Sequence, residues 1–133
     1  MAKRNPRKTL SNKLDKLCRE VIKIRDGGVC QKCGKHFDKM DCSHVIPRGH
    51  KRFRWDLKNL KLLCSRDHLY WWHQNPLEAE EWFSNKFPAR YNYLMDERQK
   101  GTKRWTLQEM EEHIEYLEGM KEYYRGIVED LPF

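Results

Sequence analysis

At 133 residues the chain is long enough for one domain with a modest hydrophobic core. Hydrophobic residues at 38%, with five Trp, six Tyr and five Phe, exclude a wholly disordered chain. Charged residues at 35%, a mean hydropathy of −1.02 and the lack of any apolar run near the ~20 residues of a spanning helix exclude a membrane-embedded one. With no apolar signal stretch at its start, a cytoplasmic protein is expected. The formal net charge of +7 is unevenly spread: residues 1–75 hold 19 Lys and Arg against 7 Asp and Glu, and residues 76–133 hold 8 against 13. The first half therefore suits a polyanionic partner, the alternative being a basic surface that only aids solubility.

In chain order, residues 1–10 read as a basic flexible arm carrying Lys3, Arg4, Arg7 and Lys8 around Pro6. Ser11 is the expected N-cap of an amphipathic helix whose stripe is Leu14, Leu17, Cys18, Val21 and Ile22. Asp26-Gly27-Gly28 ends it. Cys30-Gln31-Lys32-Cys33-Gly34 has the form of a knuckle, Met40–Ile46 reads as a strand, and Leu60, Leu62 and Leu63 mark a second strand before Cys64. Arg66–Gln74 and Leu77–Lys86 are expected helices, and Phe87–Arg98 a helical or mixed segment. Thr106-Leu107-Gln108-Glu109 is a capping box, followed by a buried stripe of Met110, Ile114, Leu117, Met120 and Tyr124 on a helix with an acidic outer face. Residues 11–100 thus form the main domain. Residues 101–133 are an acidic helix packed on it or an interaction element.

Five cysteines cannot all pair within one chain, and without a secretory signal the Cys30-x-x-Cys33 spacing points to metal rather than to a disulfide framework. Thiolates at that spacing grip one Zn²⁺ from a tight turn, and a distant second pair closes the tetrahedron. Such a staple lets a short β–β–α unit hold its shape around a small core.

Three features follow one another: Cys30-x-x-Cys33, Asp41-Cys42-Ser43-His44-Val45-Ile46-Pro47-Arg48, and Arg54-Trp55-Asp56-x-x-Asn59-Leu60 continuing to Leu63-Cys64-x-x-x-His68. Their order resembles the HNH nucleases. The later run Trp72-His73-Gln74-Asn75-Pro76-Leu77-Glu78 to Trp82 is similar to small bacteriophage members, and more distantly to phage recombination junction nucleases. The resemblance spans Val29–Phe83 and implies an α+β fold: a zinc-stapled ββα-metal core flanked by an N-terminal helix and C-terminal helices.

It further implies a DNA endonuclease leaving 5′-phosphate and 3′-hydroxyl ends. His44, with an unperturbed pKa of about 6.5, would be the general base. Asn59 would position the loop and Arg54 would contact the phosphate. Asp41 and His73 would hold a catalytic divalent ion, Mg²⁺ or Mn²⁺. Arg48, Lys51, Arg52 and Arg54 would form a DNA-facing rim. The structural zinc would take Cys30, Cys33, Cys64 and a fourth ligand, because the family's second cysteine falls at Asp67.

That fourth ligand is His68 or Asp67. His68 is preferred because Cys₃His is a common zinc set, and because a one-residue insertion before the helix would place His68 on zinc and His73, about 140° around an α-helix, at the catalytic ion. Ser43 departs from the family, which often has Asp or His there. Under the shifted register Leu69 departs likewise. A zinc-stabilised DNA-binding protein without catalysis is therefore the competing function. A homodimer or a phage protein bound through the acidic helix, and a preference for branched DNA, remain open at this level.

Overall fold

The computed structural model describes residues 5–129, which leaves Lys3 and Arg4 of the expected arm outside the described residues. The elements are helix α1 (Pro6–Arg25), strand β1 (Met40–His44), a 3₁₀ turn (Leu57–Asn59), strand β2 (Leu60–Cys64), a π-helix (Asp67–Trp72), and helices α2 (Pro76–Lys86), α3 (Pro88–Arg98) and α4 (Leu107–Glu129). The architecture is α+β, with one antiparallel two-stranded sheet in which Met40 pairs with Cys64 and His44 with Leu60.

Helix α1 starts earlier than the sequence suggests. Asn5 accepts from the Lys8 amide at 3.2 Å and Pro6 occupies the first turn, so Pro6–Leu10 is helix, not arm, and Ser11 is interior. An Asn cap followed by Pro at N1 is a strong start signal, and it outweighs the polar composition of the segment. At the other end Gly27 and Gly28 both take positive φ, a conformation open to glycine at no steric cost, and turn the chain toward Cys30. The Asp26 side chain then accepts from the Leu62 amide (2.9 Å), and the Gln31 amide donates to the Leu62 carbonyl (2.9 Å). The knuckle is thereby laced to β2.

Every residue of β2 is buried, because the sheet is covered on both faces. Leu60 and Leu62 join Leu14, Leu17, Val21 and Ile22 of α1 and Met110, Ile114 and Leu117 of α4 in the main core. The opposite face carries Lys61 and Leu63 toward the π-helix and α2. A second core, built on Ile46, Phe53, Phe83 and Leu94, sits under α2 and α3. The capping box forms as the sequence predicts: the Glu109 amide donates to Thr106 Oγ1 and the Thr106 amide to Glu109 Oε1, both at 3.0 Å. Cys18 is a core residue, and α4 packs along α1, with Lys121 of α4 paired to Glu20 of α1 at 2.8 Å.

Strand β1 stops at His44, short of the expected Ile46. The side chain of the fully buried Asn59 takes over there, accepting from the Ile46 amide (2.7 Å) and donating to the carbonyls of Ile46 (3.0 Å) and Phe53 (3.1 Å). The same loop is pinned from outside by Trp105, whose indole donates to the Lys51 carbonyl, and by His113, whose Nε2 lies 2.8 Å from the Trp55 carbonyl.

Candidate functional site

Two polar clusters draw on the π-helix, one at its first residue and one at its second residue and C-cap. In the first, ligand atoms of Cys30, Cys33, Cys64 and Asp67 lie within 4.8 Å of one another. Both halves have the same shape. The Cys33 amide points at Cys30 Sγ and the Asp67 amide at Cys64 Sγ, each at 3.5 Å and each three residues on. A knuckle delivers the side chain at position i+3, so Asp67, and not His68, completes the set. Of the two fourth ligands expected, the structure thus brings Asp67 to the cysteines without an inserted residue, and His68, the preferred one, to Asp41 and His73. Cys30 Sγ is 3.2 Å from Asp67 Oδ2. Burial pushes the Cys64 thiol up to about 12 and raises Cys30 as well, so these groups ionise readily only beside a cation. Three sulfurs and a carboxylate around one point fit a divalent zinc-type ion.

The second cluster is built around His68. Its Nδ1 is 3.1 Å from Asp41 Oδ2, and its Nε2 is 3.0 Å from His73 Nε2. Five residues along an α-helix would set the two rings about 140° apart, which is why the sequence reading separated them. The π-helix changes that angle. Its wider turn, closed by the His73 amide on the His68 carbonyl at 3.3 Å, brings i and i+5 to one side. Two imidazole nitrogens this close share a proton or an ion, and the Asp41 carboxylate is placed to hold the His68 proton on Nδ1 and leave Nε2 as a lone pair. Asp41 is thus behind His68 rather than beside His73. Leu69, at 49% exposure, faces solvent, and Ser43 is fully buried, its Oγ accepting from Lys61 Nζ at 3.1 Å.

His68 and His73 open onto the same cleft as His44, a hollow of about 800 Å³ between α1 on one side and α2 and α3 on the other. His44 ends β1, with Nε2 3.1 Å from the Arg54 carbonyl. A carbonyl only accepts, so that nitrogen carries the proton and Nδ1 has the free lone pair. Burial lowers the His44 pKa from its usual value, partly opposed by this hydrogen bond.

Residues 30–70 match the family model for HNH endonucleases. That stretch, about a third of the chain, is similar to the HNH domain. Neither the search of curated proteins nor that of solved structures returned a match. The matched segment includes His44, Asn59 and His68, and His73 lies just beyond it.

Of the four expected rim residues, the structure brings Arg48 and Arg54 to this cleft and leaves two elsewhere. Arg52 turns to the carbonyls of Gly101 (2.8 Å) and Lys100 (3.4 Å), and Lys51 does not line the cleft. Arg19 and Arg98 line it instead. Three features escaped the sequence reading. Asp15 of α1 gathers Arg48, Arg54 and Trp55. Lys61 is a fully buried lysine with its Nζ 3.2 Å from the Trp72 ring centroid. His50 is half-buried at the cleft. Only Lys61 left a trace, as the one charged residue inside an otherwise apolar strand.

Proposed function

We propose that the protein is a metal-dependent DNA endonuclease acting through its HNH domain. The observation that carries this reading is His44. Its ring is fixed through Nε2, its Nδ1 is unencumbered, and it shares one arginine-lined cleft with His68 and His73. In this reading Nδ1 of His44 takes the proton from the attacking water, and its lowered pKa keeps the ring neutral and ready at pH 7. Asn59 holds the loop that carries the Arg54 carbonyl. Arg48 and Arg54 face the phosphate, and the basic surface draws in the polyanion.

Cys30, Cys33, Cys64 and Asp67 would hold a structural zinc. His68 and His73, with Asp41 orienting His68, would hold the catalytic ion and leave its other positions to water and substrate. When bound, that ion supplies Lewis-acid stabilisation of charge on the phosphate and the departing 3′ oxygen. Two imidazoles favour a first-row transition ion such as Mn²⁺ over Mg²⁺, which prefers oxygen donors. The products are 5′-phosphate and 3′-hydroxyl ends. One site nicks, and the resemblance to phage proteins suggests DNA processing, packaging or recombination as the setting.

The test is relaxation of a supercoiled plasmid in Mn²⁺ or Mg²⁺ by wild type and by His44→Ala, with zinc content measured in both. Wild type should nick, and the variant should lose about 10²- to 10⁴-fold in rate with zinc unchanged. The acid limb of the wild-type pH–rate profile should fall below pH 6.5, because a base with a lowered pKa becomes protonated and idle only at lower pH. If neither protein cuts in any divalent ion while both bind DNA and zinc, the non-catalytic DNA-binding reading replaces this one.

A further inference from the structure

Asp15 lies on α1, outside the segment that matches the HNH family, yet its carboxylate projects into the same cleft as His44. Four donors from the loop after β1 converge on it. Arg54 donates from Nε to Oδ1 (3.1 Å) and from Nη2 to Oδ2 (2.7 Å), Arg48 from Nη2 to Oδ2 (2.9 Å), and Trp55 from its indole to Oδ1 (2.8 Å). The Arg54 fork is fixed on both arms, the geometry that most restricts a guanidinium. Arg54 also supplies the backbone carbonyl that holds His44. The same residue is therefore clamped at its side chain and engaged with the candidate base at its main chain. Arg48 remains 60% exposed and open to a ligand, whereas Arg54 is 19% exposed.

We propose that Asp15 is a positioning residue: it aims Arg54 and Arg48 at the scissile phosphate and, through the Arg54 backbone, steadies His44. This rests on the nuclease reading for its catalytic half, but not for its binding half. A carboxylate in the phosphate path is unfavourable for DNA affinity. The clamp therefore trades binding strength for orientation, and its removal should move the two in opposite directions.

The experiment compares wild type, Asp15→Asn, Asp15→Ala and Asp15→Glu. Affinity for a short duplex is measured across salt concentrations with zinc-loaded protein and no other divalent ion. kcat and KM are then measured in Mn²⁺. The Asn and Ala variants should bind DNA as tightly as wild type or more tightly. Their salt dependence should steepen by about one in the slope of log affinity against log salt, as one more cation is freed for phosphate. Their kcat should fall tenfold or more, and Asp15→Glu should recover part of it. Wild-type kcat and an unchanged salt slope in Asp15→Asn would overturn the proposal. So would a parallel fall of kcat, affinity and Tm, which marks a residue needed only for folding. Should wild type itself not cleave, the nuclease reading fails separately, and the salt slope alone decides the clamp: an unchanged slope overturns it.

Discussion

Cys64→Ser should leave the protein without zinc and without a cooperative unfolding transition near that of wild type, and chelation of wild-type protein should do the same. Residues 26–39 contain no helix or strand, and the apolar cluster under the knuckle consists of Cys30, Leu63 and Cys64 with Cys33, Met40 and Trp72 against it. So small a core cannot offset the entropy of ordering the loop. Apparent binding energies of structural zinc, about 10–16 kcal/mol, match or exceed the roughly 5–15 kcal/mol total stability of a domain. The informative pair is Asp67→Ala and His68→Ala. The first should lose zinc and melt at lower temperature. The second should keep zinc and its Tm while losing Mn²⁺-dependent cleavage. Zinc quantitation with thermal denaturation reads both. Asp67→Cys should bind zinc more tightly than wild type, since it restores a second thiolate to a knuckle already shaped for one.

The second large effect concerns the histidine pair. His73→Ala or His68→Ala should abolish Mn²⁺-dependent cleavage. Asp41→Asn should weaken Mn²⁺ binding by about 10- to 100-fold, the usual cost of losing the carboxylate behind a metal-bound imidazole. The spacing makes a sharper test. Deleting Tyr70, which is 65% exposed, turns His68 and His73 into an i, i+4 pair, and an α-helix sets such a pair on one face. The deletion should relax the π-helix to an α-helix and preserve Mn²⁺ binding. Inserting one alanine after Tyr70 instead should abolish it. Titration calorimetry with Mn²⁺ on zinc-loaded protein distinguishes the three forms.

Much of this was legible in the residues because it is local. The capping box at Thr106, the stripe of α1 from Leu14 to Ile22 and the glycines at Gly27 and Gly28 depend on neighbours a few positions away, and the structure places them as read. Asn59 was legible for a different reason: the resemblance gave it the task of holding the loop, and in the structure both ends of its buried amide are spent on that loop's backbone. The π-helix was not legible, because Asp67–Trp72 reads as an ordinary helical run and a widened turn is set by tertiary packing. Trp72 lies against Lys61, while Trp71 meets Trp82 edge-on. That single change of pitch is why His68, preferred for zinc on an α-helical reading, stands beside His73 in the structure. Asp15 was hidden because its partners lie 33 to 40 positions away. Nothing in the helix pattern distinguishes a clamp from a solvated acid.

The two-sided covering of the sheet bears on how portable the HNH stretch is. Residues 30–70 contain the knuckle, both strands and most of the candidate chemistry, but Trp55, Leu57, Leu60 and Leu62 are buried against α1 and α4. Arg25 of α1 donates to the carbonyls of Leu57 and Leu60, both at 2.6 Å, groups that excision would hand back to water. Cut out alone, the stretch would present a greasy flank and an open strand edge, and would aggregate sooner than cut DNA. In this protein the two outer helices are therefore the lining of the matched segment and not its accessories.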